Sequence, residues 1–479
     1  MVELMKELLT FLWAFAGSLA ALLLFSLGVF VCARSIIKWL VGRFIKRLMS
    51  DKYSENIWEM VTALLRISPR VVVENSLRAH TGHVIERPFG SPRKFLEFDN
   101  LVFSPAQLVV RPENEDVYVE TRTVIGPKAK KPLVLDIPIM AGGMAFGLGL
   151  SEHVKVAIAK GTAKVGTCTN SGEGPLLPEE RAAAKYYILQ YSAGTWSKET
   201  ETLRQADAIE IRLGQGAIAG VGGVIPGENV HGRLAELLNV PEGKQVIIPS
   251  KHEELPRSKD LKRLVDRLRS VTGGVPIGIK LAPSAWLEAD LELAIRAGVD
   301  FISLDGGQAG AKAGAPILQD DFGLPTVFAL TRAVRYLKQR GVKDKISLLS
   351  GGGYAVPGEC LKALALGADA IYMGTALLWA LTHEQVIKAL PWEPPTQLAW
   401  YEGTLVDQFD IERSATYLAN FLTSFVEEMK VAVRALGKSS IHDVNSSDLV
   451  ALDEWTSKVT NIPLATEPSN GSFLRRPLL

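Results

Sequence analysis

Lys280 follows the apolar run VPIGI and sits in IGIKLAP (277–283). A cation at such a place stabilises negative charge on a bound ligand. Its plainer role is that of a snorkelling or salt-bridged lysine at a strand end. Glycine-rich segments accompany it: AGGMAFG (141–147), TNSGEG (169–174), RLGQG (212–216), DGGQ (305–308), SGGG (350–353) and the pair Gly374-Thr375. Bare backbone of this kind lets a flat ligand approach closely, and N–H groups at a helix start bind phosphate. Among these segments stand Glu173 and Arg212, which either pair structurally or meet a ligand. Asp305 either caps its loop or takes part in binding. The cysteines, Cys32, Cys168 and Cys360, have no partner at metal or cluster spacing, so no metal site is expected. Cys168 reads as core filling rather than as a nucleophile. The seven histidines include no H-E-x-x-H pattern; His252, in PSKHEEL, is the one expected near the glycine segments.

Eight short strand-like runs carry these groups: 134–140, 164–169, 186–192, 208–214, 275–281, 299–305, 345–351 and 369–375. Helical patterns fall between most of them, at 151–160, 258–270, 285–297, 324–340 and 357–366. Eight alternating units over about 245 residues fit an α/β fold of the (β/α)8 TIM-barrel type; an open doubly wound sheet is the alternative. In a barrel the working residues sit at the C-terminal strand ends, which is where the glycine segments and Lys280 fall. A phosphate cradle after strands 7 and 8, a lysine on strand 5 and a bare loop after strand 1 together suit flavin mononucleotide (FMN).

The chain has 479 residues with 53 Lys+Arg against 52 Asp+Glu and a mean hydropathy of +0.14. That composition excludes a disordered chain, and the three cysteines exclude a disulfide scaffold. Bulk charge gives no sign of a nucleic-acid partner. The charge is uneven: residues 1–50 hold six basic and two acidic side chains, whereas the remainder holds 47 against 50. Residues 8–33 contain no charge, long enough to span a bilayer as a helix, and Arg34, Lys38, Arg43, Lys46 and Arg47 follow on an amphipathic stretch. The expectation is a single-pass membrane anchor with the catalytic body in the cytoplasm. The basic stretch either lies on anionic headgroups or is a solvated helix. Expected units are an anchor (1–50), a cap segment (51–130) with strands in LVFSPAQLVV and DVYVETRTVIG, the barrel (131–390), and a C-terminal helical appendix and tail (391–479) built on a helix at 416–437.

The motifs AGGMAFG, CTNSGEGP, IRLGQGA, GGVIPGENV, IKLAPS, DGGQAGAKAGAP, LLSGGGY and YMGTALLWAL, in this order, resemble the FMN-binding domain of glutamate synthase. DIERSATYLANFLTSFVEEMKVAVRALG resembles the tail of stand-alone, membrane-anchored members. The resemblance covers about residues 75–455. It implies FMN held along its ring by Gly142, Gly143, Met144, Ala145, Asn170 and Lys280, with Asp305 beside it. The phosphate would lie on Gly351, Gly352, Gly353, Gly374 and Thr375. Glu173, Arg212 and Gln215 would face a 2-oxo acid, with Lys280 and Glu173 as the catalytic groups.

The implied reaction is reductive amination of 2-oxoglutarate or a related 2-oxo acid, with hydride passing from reduced FMN to an imine. Ala145 replaces a usual serine, Ile218 and Val221 replace polar positions, and the strand 6 loop is one residue longer and lacks a threonine. Residues 376–415 contain no cysteine, so no iron–sulfur cluster is expected. The sequence also shows neither a glutaminase nor a nucleotide-binding domain. Ammonia, an amine or a separate glutaminase and a separate electron donor are therefore the expected partners. The alternatives are another FMN barrel chemistry on a more apolar substrate at the membrane, or a non-catalytic membrane-anchored flavin subunit.

Overall fold

The computed structural model describes residues 2–52, 56–385 and 396–467. The ends of the expected barrel and the start of the appendix, at 386–395, and the tail from 468 lie outside them. Contacts divide the chain into two compact units, Met1–Ile85 and Glu86–Leu479; the division falls inside the expected 51–130 segment.

In the first unit a 49-residue helix, Val2–Ser50, extends about 74 Å at 1.5 Å per residue. It is long and apolar enough to cross a bilayer, and its apolar window is wholly unburied. Two shorter helices follow, Ile57–Arg66 and Pro69–Thr81. The second starts on Ser68, whose hydroxyl accepts from Val71 N, and stops at Gly82 in the left-handed conformation.

The second unit is built around eight parallel strands: β1 (Ile139–Ala141), β2 (Cys168–Asn170), β3 (Tyr186–Tyr191), β4 (Ala208–Arg212), β5 (Ile277–Leu281), β6 (Phe301–Asp305), β7 (Ser347–Gly351) and β8 (Ala370–Met373). They are hydrogen-bonded in the order β1-β8-β7-β6-β5-β4-β3-β2, the (β/α)8 barrel. Every strand overlaps one of the eight runs expected from the sequence; β1 and β2 each end one residue beyond theirs. The period of two along each strand separates two cores. Ile209, Ile211, Ile277, Ile279 and Ile302 pack outward with the helices, while Met140, Cys168, Ile188, Ala208, Phe301, Leu349, Ala370 and Tyr372 fill the interior. Gly278 makes room inside: a Cβ there would lie 2.4 Å from the Phe301 ring. A hairpin, Thr123–Ile125 with Leu133–Leu135, plugs the N-terminal end, adding Ile125, Leu133 and Leu135 to the inner core.

The helix Ile411–Ala435 packs on Glu152–Lys164. Gly161 permits the approach, since a Cβ there would meet Leu418 at 2.8 Å. Leu101–Phe103 pairs antiparallel with Leu449–Ala451, joining segments on either side of the barrel. The expected strands at 101–110 and 116–126 shrink to Leu101–Phe103 and Thr123–Ile125. Pro105 breaks the first. In the second, Val117 O accepts from Arg434 Nε and Glu120 N donates to Ser439 O, so the backbone bonds outside any ladder.

Between β1 and β2 the described residues form no ladder. The seam is closed by Asp136 N to Gly166 O at 2.9 Å, by Thr167 Oγ1 to Ile139 O at 2.6 Å, and by Lys155. Lys155 Nζ donates to Met144 O at 2.6 Å and Asn170 O at 2.9 Å, and lies 2.8 Å from Glu180 Oε1. Both ionic partners are buried to about 1% exposure. Lys155→Met, which leaves Glu180 unpaired, should destabilise the protein by about 3–5 kcal/mol in urea unfolding. Adding Glu180→Leu should recover most of that loss.

Candidate functional site

The C-terminal ends of the strands bring together most of the residues expected to do chemistry. Arg212 and Lys280 end in register on β4 and β5, each about 4% exposed. Lys280 Nζ lies 3.3 Å from Asp305 Oδ2 and 5.9 Å from the centre of the Tyr372 ring. Asp305 Oδ2 also accepts Gly216 N at 3.3 Å, so this carboxylate both pairs the cation and fixes a loop. Arg212 spreads over three partners: Glu173 Oε2 at 3.1 Å, Gln215 Oε1 at 3.3 Å and Val221 O at 3.4 Å. Glu173 Oε2 is nevertheless buried without a hydrogen bond: it is close to the guanidinium but off the N–H direction.

Glycine lets the loop after β1 descend onto this floor. Gly142 N donates to Met373 O, tying the loop to β8. A Cβ on Gly143 would come within 3.0 Å of both Asn170 Oδ1 and Gln190 Nε2. Asn170 spends both amide hydrogens inward, on Glu210 Oε1 and Tyr372 OH, and accepts Gly172 N. Across the mouth, Gly352 and Gly353 have φ of +114° and +87°, a region that side chains avoid. Gly374, which opens the short helix Thr375–Leu381, faces open space. Among the described residues no acceptor meets the N–H groups of Gly143, Met144, Ala145, Gly352, Gly353 or Gly374. Two banks of unused donors thus lie at the same end of the barrel as Lys280 and Arg212, each of which is held beside a carboxylate. They suit an anionic, flat ligand, and the residues present fit FMN.

Residues within the strands complete the floor: Glu210, Gln190, Ser303 and Tyr372. The period of two was the signal for Glu210, since in AIEIR it shares the inward face with Ala208 and Arg212. Cys168 and Cys360 are inert: burial pushes both thiols well up. Among the described residues, no three potential ligands form a metal site.

His252 does reach the region. Its ring stacks on Tyr191 at 5.9 Å, and Nε2 donates to Arg212 O at 2.7 Å, while Nδ1 is buried without a partner. Burial first, then the Lys198 and Arg212 charges, push His252 below its ordinary 6.5, against that hydrogen bond and Glu254. The unfolded chain therefore takes the proton first on acidification. The stability contributed here is complete above about pH 6.5 and falls as pH drops. His252→Gln should flatten the loss of urea midpoint between about pH 7.5 and about pH 5.5.

Residues 96–439 match the model of a conserved region in glutamate synthase. The chain is 33% identical over 417 residues to a glutamate synthase large subunit-like protein of Rhizobium meliloti, covering 82% of this chain and 94% of that one. It is 28% identical over 435 residues to an archaeal-type glutamate synthase [NADPH] of Thermotoga maritima, covering 85% of each. Among solved structures, a (putative) lactate oxidase of Pediococcus acidilactici matches at 18% identity with a TM-score of 0.48, over 74% of this chain and 84% of that one. With the family model spanning most of the chain, this protein belongs to the glutamate synthase family.

Proposed function

We propose that the protein is a glutamate synthase-like, FMN-dependent oxidoreductase that reductively aminates 2-oxoglutarate or a related 2-oxo acid. The observation that carries this reading is the pair Arg212 and Lys280, side by side on β4 and β5 under two glycine loops with unused N–H groups. When bound, FMN supplies a two-electron reductant able to deliver hydride to the carbon of an imine. Gly142–Ala145, Asn170 and Lys280 would line its ring, with Asp305 holding the lysine in place. Gly351–Gly353, Gly374 and Thr375 would take its phosphate through backbone donors.

Arg212 then holds the substrate carboxylate, for which a guanidinium fork is suited, and Gln215 steadies the fork. Glu173, with Oε2 free of hydrogen bonds, exchanges a proton with the substrate nitrogen. Lys280 would balance negative charge on a bound flavin. Ammonia enters free, from an amine or from a separate glutaminase, and electrons come from a separate donor. The helix Val2–Ser50 anchors the enzyme in a membrane, its body in the cytoplasm, where the basic residues after Ala33 favour it.

A second reading, an FMN oxidoreductase acting on a more apolar substrate, draws on Val221. It is 42% exposed while its carbonyl bonds Arg212, which puts an apolar side chain beside the proposed carboxylate site.

Purified full-length protein in detergent should be yellow and release FMN on denaturation. Its reduced form, kept anaerobic, should reoxidise on adding 2-oxoglutarate with ammonia; no reoxidation would discard the glutamate reading and leave the second one. Lys280→Ala should slow reoxidation or weaken FMN binding at least about tenfold, the scale of one charge-assisted contact. Deleting residues 2–50 should move the protein from the membrane to the soluble fraction of a lysate.

A further inference from the structure

Glu210 is fully buried inside the barrel, and nothing above gives it a task in the reaction. Three strands converge on its carboxylate. Oε1 accepts from Asn170 Nδ2 of β2 at 3.0 Å and from Gln190 Nε2 of β3 at 2.8 Å; Oε2 accepts from Ser303 Oγ of β6 at 2.6 Å.

A carboxylate only accepts. Any primary amide that meets it must present its NH2, and so sends its oxygen the other way. For Gln190 that oxygen receives no hydrogen bond from the described residues. Gly143, without a side chain, stands directly over this amide and over that of Asn170, within 3.0 Å of where its Cβ would be. A buried glutamine whose NH2 is held by a carboxylate and whose oxygen is unused is a fixed acceptor waiting for a donor.

We propose that Glu210 is a positioning residue that sets the hydrogen-bonding polarity of the floor. It locks Gln190 with its oxygen available, so that the site selects a ring carrying an imide N–H, as the flavin pyrimidine does. This rests on the FMN reading above. Neutral glutamine at 210 would bring an NH2 of its own, so the amide at 190 is no longer held in one sense. The swap Glu210→Gln with Gln190→Glu rebuilds an acceptor at 190, held by the new amide at 210.

The test is the dissociation constant of FMN and of N3-methyl-FMN, read by flavin fluorescence on full-length protein in detergent, with melting temperatures to confirm folding. Wild type should prefer FMN by at least about tenfold, the size of one buried hydrogen bond. Glu210→Gln should lose most of that preference, and the swap should restore it. Bulk of the methyl group alone would leave the preference intact in Glu210→Gln, and that result overturns the proposal. Equal wild-type affinity for the two flavins overturns it whether or not a variant folds. So does a folded swap that fails to restore the preference. Wild type binding neither flavin removes the FMN reading itself and this inference with it.

Discussion

One buried ammonium keeps the barrel mouth in shape. Every other neighbouring pair of barrel strands is joined by a ladder, but β1 and β2 meet across Lys155, whose Nζ takes the carbonyls of Met144 and Asn170 and the carboxylate of Glu180. Burial pulls the lysine down and the glutamate up, each opposed by the other. A charge in that position is tolerated only while all its hydrogens are used. The carbonyls it holds belong to the loop after β1 and to the last residue of β2, so the placement of Gly143 and Asn170 depends on a side chain of the helix packed outside the strands.

Above the apolar interior the barrel changes character within one layer. Leu349, Phe301 and Ile188 pack below; Glu210, Gln190, Asn170, Ser303 and Tyr372 form a connected polar layer; Lys280 and Arg212 lie at the rim. Anion next to amide next to cation gives a floor with almost every buried polar atom satisfied. Among the described residues, Glu173 Oε2 and His252 Nδ1 are the exceptions among fully enclosed side-chain atoms, and both neighbour Arg212. Both are acceptors, so the fully enclosed acceptor capacity left over among the described residues lies beside the Arg212 guanidinium.

Much of this was legible because parallel strands buried on both faces read as short apolar runs, and glycines mark their C-terminal ends. The helix at Pro357–Leu366 was delimited by its proline and by Gly367, and the site residues at strand ends followed from barrel geometry. Glu210 and Gln190 carry no such mark: they are positions inside strands, ahead of the glycine-rich ends. Lys155 stands in a helix with no local sign of its task, which only the β1–β2 seam defines. The pairing of Leu101–Phe103 with Leu449–Ala451 was beyond reach for another reason: three-residue strands carry almost no periodicity, and their partners lie far apart in the chain.

That last pairing imposes an order on synthesis. Leu101 finds Ala451 only after the whole barrel has left the ribosome, roughly 20–70 s later at common elongation rates of about 5–20 residues per second. Until then the segment before the barrel has an open edge, and the apolar helix at the front has already emerged. The nascent chain thus completes its barrel before its flanks clasp, and the closing of that clasp reports that translation has passed the barrel.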